Sequence, residues 1–356
     1  MVDSQLKEKV SFSRDTLDVY GDAHPKALLR CIVEDGDHLK SLESQHIFSS
    51  DQFSKDTLLQ LFRLAAKYES NPERFSTPLK GKILISAFYE PSTRTRLSFE
   101  SAWHRLGGDI MSITDRATTG IAKGESLGDV AEMFNNYGDC VVLRDSSENS
   151  VQEMMDSLRI PIINAGNGID EHPTQALADL YTIYKWRPEL LERSGKKIKV
   201  GIIGVPNKMR TVRSLLKLFS FFPEVFEEIV IIHDGSSNLI FDDNQREQLE
   251  SRGLKLTLTT KFSAVLPELD VVYINAIAWV GNDYESFGES FVLNDQSPLK
   301  KDAIVLHPLA RGDELDASLD ETPHNWYFAQ ARGAVFLRMA LLTCMCQRME
   351  RVMDVI

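Results

Sequence analysis

Five residues in a row, Ser92-Thr-Arg-Thr-Arg96, interleave three hydroxyls with two guanidinium groups. They follow an apolar run, Ile83 to Phe88, and a break at Pro91. Helical apolar spacing then resumes at Leu97, Phe99, Ala102 and Leu106. This pattern predicts a buried strand, a turn and a helix start. A helix N-terminus offers unpaired backbone N–H groups and the positive end of the dipole, so hydroxyls and arginines placed there have the chemistry of a phosphate cradle. A lone Ser-Thr pair before a helix is usually a cap and nothing more. Two arginines among the hydroxyls favour an anion site.

Further polar groups collect at the ends of elements. Thr118 to Glu125 is a loop with glycines on both sides of Lys123, readable as a solvated surface loop or as a mobile anion-binding arm. Arg144 ends the strand Val141-Val-Leu-Arg, where an open α/β sheet faces its ligand crevice; the plain alternative is a salt bridge to Asp145. His172 and Gln175 lie three residues apart at the start of a helix and could polarise one carbonyl and reach its attached amide. Arg210 opens another helix and suits a carboxylate held at two points. His307-Pro-Leu-Ala-Arg311 follows the last strand, offering carbonyls and Arg311 to a cleft. The turn Gly204 to Thr211 lacks a dinucleotide fingerprint, and no Walker lysine motif, metal-ligand cluster or nucleophile elbow is present. A phosphate site, a carboxylate site and carbonyl-polarising groups together point to acyl transfer from a small phosphorylated donor to an amino acid.

The elements that must position these groups alternate. Short apolar strands are expected at 83–88, 109–113, 140–143 and 161–165, and again at 199–204, 228–233, 255–259, 271–274 and 303–307, with amphipathic helices between them. The fold expected is therefore α/β, with two doubly wound parallel-sheet domains and the ligand site in the cleft between them. Residues 1–45 read as an extension with one short helix at 26–33. Residues 46–187 plus 331–356 form one expected domain, with the last helix running from Ala331 to about Met353, and 188–330 the other. A length of 356 residues supports two domains. A net charge of −12 argues against non-specific nucleic-acid binding. No apolar run reaches membrane-span length and the first ten residues lack a secretory core. The four cysteines show no zinc spacing, so a reducing, cytoplasmic setting is expected.

Ser92 to Arg96, His172-Pro-Thr-Gln175 and His307-Pro-Leu309, in this order and spacing, resemble the aspartate/ornithine carbamoyltransferase family from about His46 to the C-terminus. The pattern Thr322-Pro-His-Asn-Trp-Tyr-Phe328 is similar to the aspartate branch. The resemblance implies that Ser92, Thr93, Arg94, Thr95 and Arg96 hold the phosphate of carbamoyl phosphate. Arg144, His172 and Thr95 would polarise its carbonyl, Gln175 would hold its amide, and the carbonyls of Pro308 and Leu309 would line the carbamoyl pocket. Arg210 would bind the acceptor's α-carboxylate. Thr119 and Lys123 would reach into a neighbour's site in a homotrimer. Neither metal nor cofactor is implied.

One stretch departs from the family. After Val271-Val-Tyr-Ile274 the aspartate branch carries Arg-x-Gln, whose arginine grips the side-chain carboxylate. This chain has Ala276 and Ala278 at those places, and no Lys or Arg between Lys261 and Lys300. A buried carboxylate without a cation costs several kcal/mol. The expected acceptor is thus an amino acid other than aspartate, with Trp279, Asn282, Asp283 and Tyr284 contacting its side chain. Two alternatives stand beside this: an aspartate enzyme of pyrimidine synthesis with a rearranged 275–290 loop, and an idle homologue serving as a scaffold or regulatory subunit.

Overall fold

The computed structural model describes residues 25–71, 76–192, 196–235, 237, 239–275, 291–308 and 310–347. Two parallel sheets organise the chain. The first contains β1 (Ile83–Phe88), β2 (Asp109–Ile113), β3 (Cys140–Asp145) and β4 (Ile162–Asn167) in the order β2-β1-β3-β4. The second contains β5 (Ile198–Ile203), β6 (Phe226–Ile232), β7 (Leu256–Thr259), β8 (Val271–Ile274) and β9 (Ile304–Leu306) in the order β7-β6-β5-β8-β9. β1, β3, β4, β5 and β8 are buried almost without alternation because helices cover both faces.

In each sheet the chain winds outward on one side of its first strand and then returns to the other side. The switch points are β1/β3 and β5/β8, and ligand crevices form at the C-terminal ends of such strand pairs. At the first, Phe88 is the register partner of Arg144, and the Tyr89 amide donates to the Arg144 carbonyl at 2.9 Å. The turn carrying Ser92 to Arg96 therefore leaves the sheet beside Arg144.

In chain order the helices are α1 (Pro25–Cys31), α2 (Lys55–Ser70), α3 (Thr93–Arg105), α4 (Leu127–Tyr137), α5 (Ser150–Met155), α6 (Pro173–Trp186), α7 (Arg210–Phe219), α8 (Gln245–Ser251), α9 (Phe262–Val265) and α10 (Tyr327–Cys346). The expected face of α2, Leu58, Leu61, Phe62 and Ala65, is fully buried. α6 is buried from Pro173 to Lys185, sandwiched among α2, α7 and α10. α10 starts four residues before the position expected for the last helix and packs on α2, α3 and α6. Residues 25–45, expected as an extension, are integrated instead: Leu28, Ile32, Leu39 and Leu42 join the main core, and the Asp35 and Ser44 amides donate to Gln60 and to the Met345 carbonyl. The short helix expected at 26–33 forms as α1, and the segment closes over α2. No helix among the described residues is long and apolar enough to cross a membrane.

Candidate active site

Ser92 is the N-cap residue of α3, but its hydroxyl makes no capping bond. The plain capping reading thus leaves its side chain unexplained. Thr93, Arg94 and Thr95 line a cavity of about 310 Å³ at this helix start, facing Gln175, His307, Pro308 and Gln330. Arg338 of α10, almost fully buried, closes the back of the cavity and donates to Ser98, whose hydroxyl in turn donates to the Thr95 carbonyl. Burial lowers the Arg338 guanidinium to about 9.

Beside the cradle, two arginines from the two halves of the chain, one on β3 and one at the start of α7, share one acid. Glu90, in the turn between β1 and α3, accepts from Arg144 Nη2 at 3.2 Å and from Arg210 Nη1 at 3.4 Å. Arg210, the first residue of α7, also donates to the Gly168 carbonyl at 2.5 Å. Burial first, and then the Arg210 charge, lowers the Arg144 guanidinium to about 10, still charged at neutral pH. The two guanidiniums crowd against Gly166, whose φ is +111°; a Cβ there would lie 3.2 Å from Arg210 Cζ and 3.4 Å from Arg144 Nη1. Only glycine suits both that conformation and that approach.

His172 is the N-cap of α6, buried, with its amide donating to Ser214 of α7 at 3.0 Å and its Nδ1 without a partner. Burial foremost, then the charges of Arg144, Arg210 and Arg338, pushes it well below the ordinary imidazole value. It is therefore neutral at physiological pH and can donate one N–H without carrying charge. Gln175, one turn on, donates its amide Nε2 to Asp179 at 2.8 Å. His307 is held by Glu314 at 2.9 Å, and that carboxylate also accepts from the Gly312 amide, bracing the loop after β9.

Residues 45–185 match the family model for the aspartate/ornithine carbamoyltransferase carbamoyl-P binding domain, and residues 196–345 match its Asp/Orn binding domain. The chain belongs to the aspartate/ornithine carbamoyltransferase family. It is accordingly a carbamoyltransferase. It is 35% identical to the aspartate carbamoyltransferase catalytic subunit of Alkaliphilus oremlandii, covering 87% of this chain and 93% of that one. To the catalytic subunit of Saccharolobus islandicus it is 38% identical, covering 83% and 95%. Among solved structures, aspartate transcarbamoylase of Trypanosoma cruzi in complex with carbamoyl phosphate and aspartate superposes with a TM-score of 0.78 at 30% identity, covering 86% and 96%.

Of the expected site residues of this carbamoyltransferase, Thr93, Arg94, Thr95, Gln175 and Pro308 line the cavity, whereas Ser92, Arg96, Arg144, His172 and Arg210 lie outside its lining. Arg96 turns back to Glu100, 3.2 Å away on its own helix, and Glu100 also accepts from Ser86 and Ser112. Spacing of four residues favours that pairing, and of the two arginines only Arg94 lines the cavity. Arg311, expected to face the cleft, forms a two-toothed pair with Asp320. The plain reading of Arg144 fails too, since Asp145 pairs with Arg116. Thr119 joins two one-turn helical segments, and Lys123 ends the second; both lie outside the cavity lining, with Lys123 exposed. Leu309, Ala276, Ala278, Trp279, Asn282, Asp283 and Tyr284 lie outside the described residues.

Sequence reasoning missed three residues. Glu90 stood in the opening motif, where an acid beside a proline at a strand end was the available signal. Gly166 had only its place in a Gly-Asn-rich turn. Glu171, next to His172, binds Ser49, Ser50, Ser214 and Lys217, tying α6 to α7, and nothing local announces that role.

Proposed function

We propose that this carbamoyltransferase moves the carbamoyl group of carbamoyl phosphate to the α-amine of aspartate. The observation that carries this reading is the meeting of two kinds of anion site at one turn. The cradle of Ser92 to Thr95 suits a phosphate, Arg210 suits a carboxylate, and Glu90 holds the two halves of the cleft within reach of each other. The relatives named above are aspartate enzymes, which supports aspartate over the other acceptors expected from the sequence.

In this reading α3 binds the phosphate through its first-turn N–H groups, Thr93, Arg94 and Thr95. The carbamoyl oxygen lies toward Arg144, His172 and Thr95, and its amide lies toward Gln175 and the carbonyls of Pro308 and Leu309. Arg210, held by Glu90 through Nη1, grips the α-carboxylate with the rest of its guanidinium fork. The uncharged amine attacks the carbamoyl carbon, negative charge gathers on the carbonyl oxygen, and a neutral His172 stabilises it as a donor beside a cationic Arg144. The C–O bond to phosphate then breaks, and phosphate takes the proton leaving the amine. Catalysis consists of positioning and of electrostatics in a shielded site. Thr119 and Lys123, outside the lining of their own cavity, are supplied to a neighbouring subunit's cavity.

A second reading rests on the absence of Lys or Arg between Lys261 and Lys300. With Arg311 committed to Asp320, it favours an acceptor without a second carboxylate. Phosphate release from carbamoyl phosphate with a panel of amino acids decides. Turnover strongest with aspartate supports the first reading; turnover confined to another amino acid replaces it with the second, and none with any acceptor leaves the scaffold alternative.

A further inference from the structure

One turn beyond Gln175 on α6 lies a fully buried carboxylate, Asp179. Its partners are neutral donors: Gln175 Nε2 at 2.8 Å, Gln330 Nε2 of α10 at 2.5 Å and the Tyr273 hydroxyl of β8 at 2.8 Å. An ionised carboxylate only accepts hydrogen bonds, so both glutamines must turn their NH2 ends toward it. The oxygen of Gln330 consequently accepts from the His307 amide at 2.9 Å, at the base of the loop that carries Pro308. The oxygen of Gln175 is turned away from Asp179, and Gln175 lines the cavity below the cradle.

We propose that Asp179 is a positioning residue that sets donor specificity: by fixing the Gln175 amide with its oxygen toward the cavity, it makes the site prefer carbamoyl phosphate over the near-isosteric acetyl phosphate. The proposal rests on the reading that Gln175 meets the carbamoyl amide. A carbonyl oxygen aimed into the cavity accepts from the N–H of a carbamoyl group and finds no partner on an acetyl methyl. Were the amide reversed, NH2 would face NH2 and the preference would disappear. Asp179 thereby selects the donor without touching it.

Protonation of Asp179 would introduce a donor among donors and release the constraint on Gln175. Burial pushes this carboxyl up to about 6, against the opposing effect of its three hydrogen bonds and the Arg338 charge. The groups facing it are Tyr273, pushed well above its ordinary value by burial, and Arg338, at about 9. Neither changes charge in mild acid. His172 and His307 are both held below the usual imidazole value by burial, and a charge on either would act on the phosphate that the two donors share.

The experiment compares dissociation constants of carbamoyl phosphate and acetyl phosphate for the full chain, by calorimetry, at about pH 8 and about pH 5.5. At the higher pH, Asp179→Asn should cut the carbamoyl-to-acetyl preference by roughly three- to tenfold, the span of one net hydrogen bond. The unmodified protein should lose preference on acidification, and Asp179→Asn should not. A purely structural role would weaken both donors alike and leave the ratio unchanged. Gln175→Ala serves as the reference. If it lowers the ratio while Asp179→Asn does not, the positioning role is overturned and the reading of Gln175 survives. If Gln175→Ala leaves the ratio unchanged, the reading itself falls, and the proposal with it. Should Asp179→Asn fail to fold, an unmodified protein whose ratio is constant between the two pH values overturns the proposal.

Discussion

Two arginines two positions apart, Arg94 and Arg96, look equivalent in the sequence and are not. Arg94 lines the cavity, whereas Arg96 is spent on Glu100. Replacing Arg96 by Ala is therefore expected to change kcat less than about threefold and to cost roughly 0.5 kcal/mol in denaturant unfolding, the usual range for a helix pair four residues apart. His172→Ala and Arg144→Ala should each lower kcat by about 10²–10³, the typical loss of one donor to a developing oxyanion, with the melting temperature little changed. The same assay separates the two classes: an Arg96 variant as slow as the His172 variant would place Arg96 back in the cradle. The neutrality of His172 also bears on pH. Because burial and three neighbouring arginines hold its pKa well below the ordinary value, kcat should show no loss attributable to imidazole protonation between about pH 8 and pH 6.5.

α6 is the element on which the site hangs. It supplies His172 and Gln175 at its start, and farther along its Lys185 is fully buried against Glu69 of α2 at 2.9 Å, with the Tyr181 hydroxyl donating to the same carboxylate at 2.7 Å. Arg332 of α10 stands 3.7 Å from that carboxylate, so three helices converge on one buried charge. Removing one partner of a buried pair leaves the other ion poorly compensated, whereas replacing both with apolar groups removes the penalty. Lys185→Met is accordingly expected to cost about 3 kcal/mol in urea unfolding, and the double change Glu69→Leu with Lys185→Met to recover most of it. Equal instability of the single and double variants would contradict this account of the seam.

At the scale of the whole molecule, the site exists because two sheets place their switch points against each other. Glu90 belongs to the first half and Arg210 to the second, and their 3.4 Å contact crosses the cleft. Glu90→Gln weakens that bridge and the gathering of Arg144; KM for the amino acid should rise at least about tenfold, with the affinity for carbamoyl phosphate changing less. That Thr119 and Lys123 lie outside the lining of their own cavity leads to a test of shared sites. Mixtures of inactive Lys123→Ala and His172→Ala subunits, dissociated and reassembled together, should regain activity that neither shows alone, because some cavities then combine two intact contributions. No recovery in hybrids confirmed by sedimentation would exclude the shared arrangement.

The order of strands and helices, the parallel sheets and the start of α3 after a turn were legible in the sequence. Each depends on local periodicity or on groups adjacent in the chain, such as Ile83 to Phe88 followed by Ser92 to Thr95. Residues whose role depends on a distant partner were not legible. Glu90 matters because Arg144 and Arg210 arrive beside it from 54 and 120 positions away. Gly166 matters because two guanidiniums press against it, and Arg96 pairs with Glu100 on its own helix. The short helix expected at 26–33 was legible, but that residues 25–45 pack over α2 depends on a face assembled elsewhere in the chain. Spacing thus determined which groups could do chemistry, and the tertiary structure decided which of them meet, since burial, ion pairing and the turning of an amide are settled by neighbours remote in the chain.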